Sequence, residues 1–189
     1  ACLPTAWLTA YRMLFVQGGM RPGQTVLVQG AGGGVATALI TLARAAGLRV
    51  FATSRDEAKR QRAVELGAHE VFESGARLPI RVDAVMETVG KATWSHSVKA
   101  LGPGGTIVTS GTTSGPDLDN AELTRIFFLQ LRVIGSTMGT RHELASLVTM
   151  LDATGVRPVI DRVMPMSQAH DGFAAMAGGE QFGKIVFTR

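Results

Sequence analysis

Gly30 directly succeeds the apolar run 25–29, and three adjacent glycines, Gly32, Gly33 and Gly34, follow it across Ala31. A glycine-rich turn between a strand and a helix lets bare backbone approach a diphosphate, whose charge is favoured by the helix dipole and the first unpaired N–H groups. Gly30-x-Gly32 opens the pattern G-x-G-x-x-G, but Val35 takes its sixth place; the spacing G-x-x-G-x-x-A fits Gly30, Gly33 and Ala36. The chemistry implied is capture of a dinucleotide's diphosphate by Gly30, Gly32, Gly33, Gly34, Val35 and Ala36. The plain alternative is a glycine turn with no ligand.

A second position decides which dinucleotide. About 20 residues beyond such a loop, at the end of the next strand, a carboxylate binds the ribose 2′-hydroxyl of NAD. Here Ser54 and Arg55 stand there, with Lys59 one helical turn on, and Asp56 is expected to face solvent in the first turn of a helix. Hydroxyl, guanidinium and ammonium together suit a 2′-phosphate, which Arg grips as a fork. NADP(H) is therefore favoured over NAD(H), the alternative being that Arg55 and Lys59 only form the solvated face of a helix.

These residues need elements to hold them. Short Val- and Ile-rich runs alternate with amphipathic stretches, and Gly or Pro marks the joints. An opening helix over residues 5–17 carries Trp7, Leu8, Tyr11, Leu14 and Phe15 on one stripe. Strands are expected at 25–29, 49–53, 69–72, 82–86, 106–110 and 131–135. Between them come a helix closed by Gly47, one started by the capping box Ser54-x-x-Glu57 and ended at Gly67, one carrying Trp94, Val98 and Leu101, and one over 120–129. Gly102-Pro-Gly-Gly105 reads as a turn. Six strands joined mostly by helical crossovers predict an α/β fold with a doubly wound parallel sheet in the order 3-2-1-4-5-6. A C-terminal extension follows: a helix capped by Thr140-x-x-Glu143, an extended run at 159–164, a short helix after Ser167 and a last strand at 184–187. The whole chain reads as one dinucleotide-binding domain, of which 156–189 could pack on a neighbouring domain absent from it.

In such a sheet the ligand crosses the carboxyl ends of the strands at the switch between the first and the fourth. Glu87–Gly90, Ser110–Thr112 and Ser136–Gly139 follow strands four, five and six, and offer small or hydroxylated residues for a ribose or nicotinamide.

Composition removes other classes. A chain of 189 residues with 46% hydrophobic content is long enough for a continuous core. Its 19 basic and 15 acidic residues give +4, and the scattered basic residues do not form the one-faced footprint expected for nucleic acid. No apolar run approaches the roughly 20 residues of a membrane span, so no membrane partner is expected. One cysteine, Cys2, permits no intrachain disulfide and no Cys-rich zinc site, which favours a reducing, cytoplasmic setting. Neither a P-loop string nor a G-x-S-x-G elbow occurs. The chain begins at Ala1 already in a helical pattern and reads as a piece of a longer protein.

With the 30–36 loop, Ser54-Arg55 and Leu101-Gly-Pro-Gly-Gly105, the sequence resembles the cofactor-binding domain of the medium-chain dehydrogenase/reductase family, in particular its zinc-independent, quinone oxidoreductase-like and alcohol dehydrogenase-like branch. Leu3-Pro-Thr5, Leu8-Thr-Ala-Tyr11, Gly67-Ala68 and Gly183-Lys184-Ile-Val186 extend the match to both ends. The resemblance implies an NADP(H)-dependent oxidoreductase acting on a quinone, an enone or an alcohol/aldehyde pair. A separate N-terminal domain would supply most of the substrate site, so that this chain alone is expected to be inactive. It further implies Ser54, Arg55 and Lys59 at the adenosine phosphate, the 30–36 loop at the diphosphate, and Val89, Gly90, Ser110, Gly111 and Met138 toward the nicotinamide. Gly183 and Lys184 would return to the cleft, and the edge near 131–135 would pair two subunits in a homodimer. Zinc-dependent relatives carry a metal-binding Cys where this chain has Thr5, and His69, His96, His142 and His170 lack ligand spacing, so no metal is expected. The residues name no proton donor. The rival reading is a non-catalytic NADP(H)-binding redox sensor or structural module.

Overall fold

The computed structural model describes residues 1–189. Strands β1 (Thr25–Val28), β2 (Arg49–Thr53), β3 (Glu70–Phe72), β4 (Val82–Glu87), β5 (Leu101–Thr109) and β6 (Arg132–Gly135) form one sheet in the order β3-β2-β1-β4-β5-β6. Every pairing is parallel, as crossover connections between the strands allow. Val26 and Val28 of β1 point to one face, Leu27 to the other, and all three are fully buried, as a strand covered on both sides must be.

The first face is deep. An opening helix over residues 3–17, called α1, is α-helical over Leu8–Tyr11 and π-helical on either side. It packs with α2 (Gly34–Ala45) and α6 (Arg141–Thr154) around Trp7, Met13, Leu39, Leu42 and Leu147. Each such side chain contributes about 1.5–3 kcal/mol by leaving water. The opposite face is thin. There α4 (Trp94–Ala100) and α5 (Leu123–Phe128) cover Leu27, Phe51, Val85 and Ile107, while the connection 73–81 from β3 to β4 contains no helix.

Beyond the sheet, β7 (Ile160–Pro165) and β8 (Lys184–Thr188) form a separate parallel pair, linked by a short turn of helix and α7 (Ala169–Ala177). Ile160, Val163, Met166, Phe173 and Met176 are exposed on this unit.

Two local expectations shift. The helix α3 (Glu57–Glu65) is capped by Asp56, whose carboxylate accepts from Lys59 N–H at 3.1 Å, not by Ser54. Ser54 is held back at the end of β2, where its N–H donates to the Phe72 carbonyl at 3.1 Å. Gly102–Gly105 lies within β5 as an irregular segment, because Leu101 already pairs with Val82 before the register shifts. The box Thr140-x-x-Glu143 does cap α6, with both reciprocal bonds present.

Candidate functional site

The chain leaves β1 for α2 on one face and β4 for α4 on the other, which makes their carboxyl ends the switch point at which open α/β sheets bind ligands. Gly30 (φ +74°) and Gly32 (φ +120°) make the turn out of β1 in conformations that L side chains rarely adopt. Ala31 N–H donates to the Thr53 carbonyl at 2.7 Å, which pins the loop to β2. Gly33 then caps α2 in an extended conformation and has no side chain to fill the cap. The N–H groups of Gly33, Gly34, Val35 and Ala36 consequently donate to no atom of the chain, the first intrahelical bond being Thr37 N–H to the Gly33 carbonyl at 2.9 Å.

Around this loop the space is shaped by distant side chains. A Cβ on Gly30 would meet Val89 Cγ2 at 2.9 Å, one on Gly32 would meet Lys59 Cδ at 2.8 Å, and one on Gly34 would meet Lys184 Cδ at 2.6 Å. A Cβ on Gly33 would meet nothing within 4 Å. The loop is thus a cradle: closed at three corners by Val89, Lys59 and Lys184, and open at Gly33, the residue at which the unpaired N–H groups begin. Such a cradle fits the diphosphate of a dinucleotide.

Toward the adenosine end, Ser54 is buried; its hydroxyl accepts from Asp56 N–H at 3.2 Å and its carbonyl from Arg60 Nη1 at 2.7 Å. Its hydroxyl proton stays available for donation. Arg55 is exposed and forms no ion pair. Lys59 does not stand free: its ammonium donates to the Gly179 carbonyl, while Gly183 N–H donates to the Gly32 carbonyl at 2.8 Å. The C-terminal segment therefore crosses the loop. It is fastened by Asp161, which accepts from Phe182 N–H at 3.1 Å, and by Arg62, stacked 4.3 Å from the Phe182 ring centroid. Burial pushes the Asp161 carboxyl up, but bonds from Arg162 and Phe182 N–H and the charge of Arg62 outweigh it and hold it below the usual range.

Further along the same edge the loops after β4 and β5 are laced together. Gly90 (φ +88°) is so close to Gly115 that an added Cβ would lie 2.7 Å from its carbonyl oxygen; Ser114 N–H donates to the Val89 carbonyl at 2.8 Å. Ser110 Oγ donates to Met13 Sδ at 3.0 Å, and an added Cβ on Gly111 would lie 3.0 Å from the Thr88 carbonyl oxygen. Met138, after β6, is 42% exposed at φ +46°. The structure thus gathers Val89, Lys59 and Lys184 at the glycine loop and sets Ser110, Gly111 and Met138 past neighbouring strands.

One group had no signal in the sequence beyond polar residues at strand ends. Fully buried Glu87 accepts from Val89 N–H (2.7 Å), Gly90 N–H (3.1 Å), Thr93 Oγ1 (2.8 Å) and Ser97 Oγ (2.5 Å). Gln29 Nε2 donates to Ser97 Oγ at 2.9 Å, and Gln29 Oε1 accepts from Thr53 Oγ1 at 2.5 Å. This buried chain of bonds joins the ends of β2, β1 and β4 and fixes the backbone from which Val89 projects over Gly30.

No three His, Cys, Asp or Glu side chains gather as a metal-binding group, and Cys2 is buried in the core. No helix is long and apolar enough to cross a membrane.

The fold has counterparts among known proteins. A family profile described as zinc-binding dehydrogenase matches residues 34–153. The chain belongs to this family, the medium-chain dehydrogenase/reductases, and corresponds to its cofactor-binding half. Quinone oxidoreductase of Mus musculus is 31% identical over 98% of this chain and 61% of its own length. The crystal structure of an NAD-dependent alcohol dehydrogenase superposes with a TM-score of 0.91 at 31% identity, covering 100% of this chain and 57% of that one. The 2-octenoyl-CoA carboxylase reductase CinF, in complex with NADP and 2-octenoyl-CoA, does so with a TM-score of 0.89 at 25% identity, over 99% and 48% respectively. The chain spans little more than half the length of the curated relatives it matches.

Proposed function

We propose that the chain is the cofactor-holding part of an NADP(H)-dependent oxidoreductase that transfers hydride to or from a quinone, an enone or an alcohol/aldehyde pair. The observation that carries this reading is the row of unpaired N–H groups from Gly33 to Ala36 at the open corner of the glycine cradle. In this reading those groups and the α2 dipole hold the diphosphate, with Lys184 beside it. Ser54 and Arg55 meet the 2′-phosphate, which the absence of a carboxylate at the end of β2 favours over an unmodified ribose. Lys59 adds a cation at the same corner while it ties the C-terminal segment down. The bound nicotinamide supplies or accepts the hydride. Val89, Gly90, Ser110, Gly111 and Met138 do the rest: they set the edge along which it lies and narrow the water-filled space around it.

Relatives pull both ways on the cofactor, one solved neighbour being NAD-dependent and another an NADP complex; the residues after β2 favour NADP. The substrate site belongs to a further domain, for which the exposed apolar side chains of 156–189 provide a docking face. A homodimer through the β6 edge, where Val133 is exposed, and a reducing, cytoplasmic setting complete the reading. Titration of the intact protein with NADPH and NADH tests it: NADPH is expected to bind at least about tenfold more tightly, a difference of about 1.4 kcal/mol, and equal affinity removes the 2′-phosphate assignment.

A further inference from the structure

The thin face of the sheet contains a second cleft. Where a crossover helix would lie between β3 and β4, the connection 73–81 leaves a cavity of about 450 Å³ against α4 and α5. None of the residues assigned above to the dinucleotide lines it. Arg77, Arg81, Lys99 and Arg125 all do, and no acidic residue does. His96 forms a wall, bridging the Ala76 carbonyl through Nε2 (2.9 Å) and Gln29 through Nδ1 (2.9 Å).

These charges are poorly balanced from within. Arg77, Arg81 and Arg125 form no ion pair. Lys99 alone of the four is ion-paired, with Glu122 at 3.2 Å; the same carboxylate accepts from Ser95 Oγ at 2.6 Å and lies near enough to Arg125 for their charges to interact, so it is shared between two of the cations. Arg125 Nε is buried with no hydrogen-bond partner, and a buried polar group left unpaired is costly unless a ligand completes it. Like charges gathered in a cleft raise the local concentration of anions, and three guanidinium forks match phosphate oxygens. Leu78, Pro79 and Ile80 give the cleft one apolar side.

We propose that this cleft is a binding site for a small phosphorylated molecule, whose phosphate oxygens are held by Arg77, Arg81 and Arg125 and whose body rests on Leu78. The volume lies toward the lower end of the roughly 300–1,000 Å³ of small-molecule pockets, which sets a ligand smaller than a dinucleotide. The assignment is independent of the dinucleotide reading, since the two sites share no residue.

Inorganic pyrophosphate titrated into the intact protein by calorimetry tests it, with the Arg125 Nε–H resonance followed by NMR. Saturable binding that shifts this resonance is expected, about tenfold weaker in Arg77→Ala/Arg81→Ala and weaker in the charge-keeping Arg125→Lys, which loses the fork. Arg77 and Arg81 are exposed, so the double variant keeps its fold. Gly33→Val, which fills the cradle assigned to the dinucleotide's diphosphate, is expected to leave the Arg125 shift and its midpoint unchanged, so that pyrophosphate held at the glycine loop is told apart from pyrophosphate held here. An absence of a saturable Arg125 shift, a double variant in which that shift saturates as in the wild type, or loss of the shift in Gly33→Val overturns the proposal.

Discussion

Lys184 lies across Gly34, so that a Cβ added to the glycine would stand 2.6 Å from Lys184 Cδ. The last strand of the chain thereby reaches the first residue of the helix that follows β1, 150 positions earlier in the sequence. This contact makes the cradle a tertiary object: the stem of a lysine from the last strand rests on the first turn of the helix that follows β1, where a diphosphate is proposed to bind.

Gly33 is the corner at which a side chain can enter without meeting protein. Gly33→Val is therefore expected to fold, with a thermal midpoint close to that of the parent, and to lose detectable binding of NADPH and NADH alike, because its branched side chain fills the space before the unpaired N–H groups. Differential scanning fluorimetry together with a fluorescence titration reads both halves. Unchanged affinity in the folded variant would reduce the loop to a turn.

Arg55 is exposed and unpaired, so its removal costs the fold little. Arg55→Ala is expected to weaken NADPH by roughly 10–100-fold, the value of a charge-assisted bond of about 1.5–3 kcal/mol, while NADH changes by less than about twofold. Equal losses for both cofactors in parallel titrations would detach Arg55 from the 2′-phosphate.

Glu87→Ala leaves the N–H groups of Val89 and Gly90 without their acceptor in a buried place. A loss of about 3 kcal/mol or more is expected from urea denaturation, since several buried donors lose their acceptor at once, at roughly 1–3 kcal/mol each. A loss below about 1 kcal/mol would mean that the loop after β4 is held by other contacts.

Glu143 joins α6 to α1 through Arg12 Nη1 at 2.5 Å and closes its own helix cap through Thr140 N–H at 2.6 Å. Burial raises its carboxyl, but the bonds from Thr140 and Arg12 prevail and keep it below the ordinary glutamate value of 4.5. The folded form therefore binds its proton less readily than the unfolded form; the stability gained is complete above about pH 4.5 and is lost as pH falls through the folded value. The urea midpoint of the wild type is expected to drop more steeply below pH 4.5 than that of Glu143→Gln; parallel curves would contradict the assignment.

How much of this was legible beforehand follows from the range of each interaction. The strand 25–28, the glycines and α2 announce themselves locally, because an apolar run, a breaker and a helical period adjoin; the crossover rule then orders the sheet. Thr140 and Glu143 lie three residues apart, and that cap could be read directly. Ser54 misled for a physical reason: its N–H is taken by β3, so the helix starts at Asp56 instead. The contact from Lys59 to Gly179 spans 120 positions and leaves no periodic trace. Gln29 and Glu87 look like polar strand ends until the fold buries them against Ser97. Likewise the basic residues are scattered in sequence, yet Arg77, Arg81, Lys99 and Arg125 converge on one cleft because a crossover helix is missing there.

Crystals of the intact protein soaked with NADPH address the central claim most directly. Diphosphate density is expected on the N–H groups of Gly33, Gly34 and Val35, with Lys184 alongside and the 2′-phosphate against Arg55 and Ser54. Density that places the dinucleotide elsewhere, or a cradle that stays filled by Lys59, Lys184 and the 179–183 segment at saturating NADPH, would contradict it.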